Sequence, residues 1–179
     1  MSIWFITGAS RGLGAEIARA ALARGHQVIA ADRDAARVRA AFPGAGGALL
    51  AVPLDVTSPA QITAAVRAAT GRFGGIDVLV NNAGHGLLRA AGEASDAEAR
   101  SIYDVSVLAM LALTREVLPV MRAAGDGIIV SLPPAAGLAQ PGDLARDARV
   151  IIDAVDGGTV PARLFPGSGT IDRVARAAA

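Results

Sequence analysis

The chain has 179 residues, 53% of them apolar but only 3% aromatic, with 21 glycines and a formal net charge of +1. So small a charge excludes a strong field toward nucleic acid or an anionic membrane, and the absence of Cys excludes disulfide and zinc–thiolate chemistry. No apolar run reaches the ~18 residues that a bilayer span needs, and no basic leader precedes the first apolar run, so a single cytoplasmic domain over 1–179 is the expectation.

Residues 3–7 form a compact apolar run closed by glycines, the pattern of a buried parallel strand. A helix is expected over about 13–24, with Ile17, Ala18, Ala21 and Leu22 on one face and Gly25 as its stop. Residues 27–31 read as a second strand and 48–52 as a third, leading into Pro53-Leu54-Asp55-Val56. The next helix has a clear start: Ser58 at the N-cap, Pro59 at the first helical position and Gln61 placed for a capping box. Residues 76–80 give a fourth strand that runs into Asn81-Asn82-Ala83-Gly84. A second capping box, Ser95 and Glu98, opens a long helix to about Ala124, and 127–131 form a fifth strand.

Strands and helices that alternate in this way build βαβ units with parallel pairing and right-handed crossovers. The fold class expected is α/β, a three-layer, Rossmann-type, doubly wound sheet of order 3-2-1-4-5, with ligands at the strand C-termini. Leu132-Pro133-Pro134 breaks the pattern. Beyond it a helix is expected over about 143–155, a short strand over 162–165 and a terminal helix over 170–177.

The segment Thr7-Gly8-Ala9-Ser10-Arg11-Gly12-Leu13-Gly14 lies between the first strand and the first helix. A glycine-rich turn in that place lets backbone N–H groups approach a pyrophosphate at a helix N-terminus. Asp32 ends the second strand, where a carboxylate accepts hydrogen bonds from ribose hydroxyls and repels a 2′-phosphate.

The Gly-x-x-x-Gly-x-Gly spacing after Thr7 resembles the short-chain dehydrogenase/reductase family. Leu54-Asp55-Val56 is similar to that family's adenine-contacting segment, and Asn81-Asn82-Ala83-Gly84 to its signature under the cofactor. The stretch from Tyr103-Asp104-Val105-Ser106-Val107 to Leu118-Pro119 resembles its long central helix. The resemblance implies NAD or NADP as cofactor, held by Gly8, Ser10, Arg11, Gly12, Leu13, Gly14, Asp32, Arg33, Asp55, Val56, Asn82, Ala83 and Gly84. In the family's pattern Arg11 and Arg33 favour the 2′-phosphate of NADP. Asp32 opposes it, and NAD is the preferred reading.

The family's acid–base chemistry uses Tyr, Lys, Ser and a helix Asn, with the Lys tuning the Tyr. The chain has no Lys, and its one Tyr is Tyr103, where the family has a packing aromatic. Aligned on Ala-Ala-Gly-Leu, the Asn becomes Ser106, the Ser becomes Pro134, the Tyr falls near Asp147 and the Lys near Ile151. Two alignments of the tail are open. In one the Tyr–Lys helix and the following strand are deleted; in the other that helix survives as 143–155. The sheet is thus expected to be truncated after its fifth strand, with a short strand/helix tail.

His85, Ser131 and Asp147 are the candidate catalytic groups, and His26 is expected at the surface. Three functions remain open: an enzyme with altered chemistry acting on a small carbonyl or polycyclic metabolite, a non-catalytic dinucleotide sensor or partner subunit, and a decayed gene product. The family's pairing through long helices implies a homo-oligomer.

Overall fold

The computed structural model describes residues 1–84, 95–132 and 143–158. Strands β1 (Ile3–Thr7), β2 (Gln27–Asp32), β3 (Leu49–Pro53), β4 (Val78–Asn81) and β5 (Ile128–Ser131) pair in parallel in the order β3-β2-β1-β4-β5. This is the expected doubly wound sheet. The helices are α1 (Gly12–Ala23), α2 (Ala35–Ala41), α3 (Pro59–Phe73), α4 (Asp96–Tyr103), α5 (Met110–Ala124) and α6 (Leu144–Asp156). The strand and helix expected within 162–177 lie outside the described residues.

Period-two alternation sorts the strand side chains between two cores. Trp4, Ile6, Val28, Ala30, Val78 and Val80 point to one face, where α1, α2 and α6 cover them. Phe5, Ile29, Ala31 and Leu79 point to the other, under α3 and α5. Both faces of the sheet are filled, as a parallel sheet requires.

The sequence pattern missed α2. Its seven residues bury only Val38, too few for a helical period, and it is fixed instead by Asp34, whose side chain caps the amides of Ala36 and Arg37. The long helix after Ser95 forms with its capping box, but a π turn (Asp104–Ala109) interrupts it between α4 and α5. At α3 the Ser58 hydroxyl accepts from the Gln61 amide, whereas the Gln61 side chain takes the amide of Asp55 at 2.7 Å.

Two expectations are corrected. Tyr103 is not a packing residue: α4 buries none of its own side chains, and Tyr103 is 55% exposed. His26 is not at the surface: it is buried against the Trp4 ring, with ring centroids 5.8 Å apart. Its Nδ1 accepts the Ser2 amide at 3.1 Å, so Nε2 carries the proton and faces Asp156, 3.2 Å away. The cover comes from α6, about 130 residues on, a contact that no local pattern reveals.

Helix α6 docks Ala148, Ile151, Ile152 and Val155 into the α1 side of the core. Arg24 at the end of α1 donates to both Asp153 and Asp156. Burial acts to raise the Asp156 carboxyl, but hydrogen bonds from Arg24 and His26 outweigh it and hold the group below its ordinary value of 3.8. A depressed carboxyl stabilises the fold above its unfolded value and stops doing so as pH falls through the folded one. Asp156→Asn is therefore expected to cost about 0.2–1 kcal/mol at pH 7. The difference from wild type should shrink as pH falls below the ordinary carboxyl value of 3.8 and through the lower folded-state value, read as the gap between two melting curves.

The side on which α6 lies is informative. Crossovers toward β2 and β3 run over the α1 face, and those toward β4 and β5 run over the α3/α5 face, as right-handed connections demand. A right-handed crossover from β5 to a sixth strand beyond it would use the α3/α5 face. Helix α6 lies on the other. That placement fits the alignment in which the crossover helix after β5 is missing.

Candidate functional site

The C-terminal ends of β1, β2 and β4 converge on the glycine turn. The Thr7 hydroxyl accepts the amides of Asn82 and Ala83, each at 2.9 Å, and donates to the Val80 carbonyl. The Asn82 side chain donates to the carbonyls of Thr7 at 2.8 Å and Gly8 at 3.2 Å. The Asn81 side chain donates to the Thr114 hydroxyl of α5. Thr7 and Asn81, which the sequence reading left out of the site, thus bind its parts together. The available signal was a polar residue closing each of two otherwise apolar strands.

The three glycines act differently. Gly8 has φ +65°, and a Cβ there would meet the Asn82 amide nitrogen at 2.9 Å; at Gly14 it would meet that nitrogen and the Gly8 carbonyl oxygen at 2.5 Å. Gly12 has φ +60°, yet a Cβ there would meet nothing within 4 Å. The chain's own packing needs Gly8 and Gly14, while Gly12 leaves open space at the start of α1. Arg11 stands at the N-cap without a side-chain cap, and the first turn of α1 holds no acidic residue. An anion would meet uncapped N–H groups and the positive end of the helix there.

Asp32 ties the same turn down from the side. Its Oδ2 accepts the Ser10 hydroxyl at 2.7 Å and the Ser10 amide at 3.3 Å. Arg11 and Arg33 are exposed beside it. Hydrogen bonds from the Thr57 hydroxyl and amide hold the Asp55 carboxyl below its ordinary value, and Arg33 adds to this through space. Leu13 and Val56 are half-buried, and Gly84 is exposed at the end of the Asn81–Gly84 segment.

The candidate catalytic residues are not brought together. Ser131 is exposed at the end of β5, paired across the ladder with Asn81. Asp147 lies in the first turn of α6 on the α1 face, and Ile151, where the family's Lys would fall, is 1% exposed in the core. Ser106 lies on the opposite side, in the π turn beside Asn81. His85 and Pro134 lie outside the described residues. Among the described residues no group of three or more His, Asp or Glu could hold a metal, and no helix is long and apolar enough to cross a membrane.

A family model for short chain dehydrogenases matches residues 2–144. The chain belongs to that family. It is 41% identical over 135 residues to ketoacyl reductase HetN of Nostoc sp., covering 74% of this chain and 47% of that protein. It is 39% identical over 133 residues to galactitol 2-dehydrogenase of Agrobacterium fabrum, covering 74% and 52%. The chain thus spans about half the length of the curated relatives it matches. Among solved structures, a short-chain dehydrogenase from Streptomyces avermitilis superposes with a TM-score of 0.81 at 28% identity, over 96% of this chain and 91% of that one. The 3-ketoacyl-(acyl-carrier-protein) reductase from Brucella melitensis complexed with NADH gives a TM-score of 0.70 at 30% identity, over 86% and 71%. The S. avermitilis dehydrogenase matches almost end to end, so the architecture extends to a second chain of similar size.

Proposed function

We propose that this short-chain dehydrogenase relative binds a nicotinamide dinucleotide across the turn 8–14, without the family's Tyr–Lys chemistry. The observation that carries the reading is the uncapped start of α1 with open space over Gly12, framed by two glycines that the fold's own packing requires. The backbone of Ser10 to Leu13 would hold the pyrophosphate, and Asp32 the adenosine ribose. Asp55 and Val56 would border the adenine, and Asn82, Ala83 and Gly84 would lie under the nicotinamide end. When bound, the dinucleotide supplies or accepts a hydride. The chain's own residues bind and orient it.

NAD is favoured over NADP. The Asp32 carboxylate, already fixed by Ser10 at the ribose position, would repel a 2′-phosphate. Asp32→Asn is expected to shift the ratio of NADP to NAD affinity upward by about fivefold, since one like-charge contact at the surface is worth about 1 kcal/mol. Equal ratios in the variant and the wild type, measured by calorimetry, would contradict the ribose assignment.

The first functional reading is a reaction on a small carbonyl or polycyclic metabolite in the cytoplasm, with His85 and Ser131 as the polar groups nearest the cleft in sequence. The carbonyl and alcohol chemistry in the names of the relatives supports the substrate class. The second is a sensor or partner subunit that binds dinucleotide without turnover. The placement of Asp147 and Ile151 on α6, with Ile151 packed in the α1-side core, rather than at the cleft beside Asn81 to Gly84, favours it. A homo-oligomer is expected in either case, because Tyr103, Leu108 and Leu111 expose apolar surface on α4, the π turn and α5.

A further inference from the structure

The chain contains two Asp-Gly pairs, Asp126-Gly127 and Asp156-Gly157. An aspartate followed by glycine has a covalent reaction open to it. The glycine nitrogen, with no Cβ beside it to bar the approach, can attack the aspartyl carboxyl carbon. Whether it does so depends on where the nitrogen sits and on what holds the carboxyl group. The two pairs differ on both counts.

Asp126 lies in the short exposed turn between α5 and β5, where Gly125 closes the helix in the left-handed conformation at φ +78°. The Gly127 amide donates to the carboxylate of Asp126, with nitrogen and Oδ1 2.8 Å apart. That bond keeps the nitrogen beside the carboxyl group, one bond from the carbon it would attack, as a near-attack arrangement requires. Among the described residues no cation pairs with the Asp126 carboxylate. The fold also fixes the glycine. A Cβ at 127 would meet Met121 Cγ at 2.5 Å and Met121 Cβ at 2.7 Å, and Met121 is buried in the core under α5. Packing thus demands at 127 the one residue type that leaves the attack unhindered. Asp156-Gly157 is the opposite case. Its carboxylate accepts from Arg24 at 3.0 Å and faces His26 Nε2 at 3.2 Å. These bonds hold it ionised, and so a poor electrophile. The Gly157 amide is committed to the Asp153 carbonyl, 2.9 Å away at the end of α6.

We infer that Asp126-Gly127 is a site of spontaneous covalent modification, where aspartate converts to isoaspartate through a cyclic imide, while Asp156-Gly157 is spared. In the first step the Gly127 nitrogen bonds to Cγ of the protonated Asp126 carboxyl group. The Cγ–OH bond breaks, and the hydroxyl leaves with the amide proton as water. Water then opens the ring at one of two bonds. Cleavage between the nitrogen and Cγ restores aspartate. Cleavage between the nitrogen and the α-carbonyl carbon leaves isoaspartate, with the peptide running through Cβ and the former α-carbonyl a free carboxylate. The sequence is redox-neutral, and its only co-reactant is water. The product inserts a methylene into the main chain just ahead of β5, where the Ile128 amide donates to the Asp77 carbonyl at 2.8 Å. That bond seats the first residue of the strand against β4, so the modified chain is less stable.

The test ages the full chain at neutral pH and physiological temperature and digests it at intervals. Fragmentation mass spectrometry that separates isoaspartyl from aspartyl peptides then reads each Asp-Gly pair. The peptide holding Asp126 is expected to accumulate isoaspartate at least about tenfold faster than the one holding Asp156, a barrier difference of about 1.4 kcal/mol. Ageing in guanidinium chloride should bring the two rates together, because unfolding releases the Asp156 carboxylate and the Gly157 amide. Asp126→Glu keeps the charge but needs a larger ring, and should show no isomerisation at 126. The aged wild type should melt lower than fresh protein, and aged Asp126→Glu should not. Absence of isoaspartate at Asp126, or equal accumulation at the two pairs in the folded chain, overturns the inference. A gap that persists undiminished in guanidinium chloride overturns its structural cause. Unchanged melting of wild type converted at Asp126 overturns the cost assigned to β5.

Discussion

Oxidation of NADH or NADPH by this protein, against ketones, quinones and aldehydes, is expected to run about 10²–10⁴-fold below an ordinary reductase, the typical worth of a general acid. The chain carries no Lys, and its one Tyr stands exposed on α4. In the alignment that keeps the Tyr–Lys helix as α6, the Lys position is Ile151, packed in the core against α1, and Asp147 shares that helix; in the alignment that the placement of α6 fits, that helix is missing altogether. Groups that act as one unit are lost non-additively, so a single survivor would restore little. Hydride delivery by proximity alone leaves room for slow residual turnover. His85→Ala and Asp147→Asn are the controls. Turnover within the common range of ~1–10³ s⁻¹, untouched by either change, would contradict the expectation. Slow turnover abolished by His85→Ala would identify the acid.

Gly12→Trp is expected to remove dinucleotide binding altogether. Gly12 has φ +60°, yet its absent side chain meets nothing in the fold. A Trp there projects into the open space over the N-terminus of α1, where the pyrophosphate would lie. The left-handed backbone adds strain of order 1–2 kcal/mol, so the variant should melt a few degrees lower while remaining folded. Gly14→Ala makes the contrast, because its Cβ would strike the Asn82 side chain and the Gly8 carbonyl; its main loss should be stability. Retained NAD affinity in a folded Gly12→Trp would place the ligand elsewhere.

The sheet was legible because its signals are local. Short apolar runs closed by glycine, proline or a polar residue marked all five strands to within two residues, and the capping residues Ser58 and Ser95 marked two helix starts. Helix α2 was not legible, since a single buried Val38 carries no period. Nor was the π turn, which lies within an otherwise continuous helical run and carries no side-chain cap to announce it. The burial of His26 depends on α6, and the face that α6 chooses depends on which crossover precedes it. Both are properties of the assembled sheet. At the site, the glycines and Asp32 could be read from their places in the chain. The bonds that close the site, from Asn82 to Thr7 and Gly8, span about 75 residues.

The central proposal is that the turn 8–14 binds a nicotinamide dinucleotide in a chain that carries no Lys and whose one Tyr lies on α4. Calorimetric titration of the wild-type protein with NAD and with NADP, paired with melting curves at saturating ligand, tests it most directly. Binding of at least one dinucleotide is expected, tighter for NAD, with a melting temperature that rises with ligand concentration as binding to the folded state alone requires. No heat and no thermal shift with either dinucleotide would contradict the account.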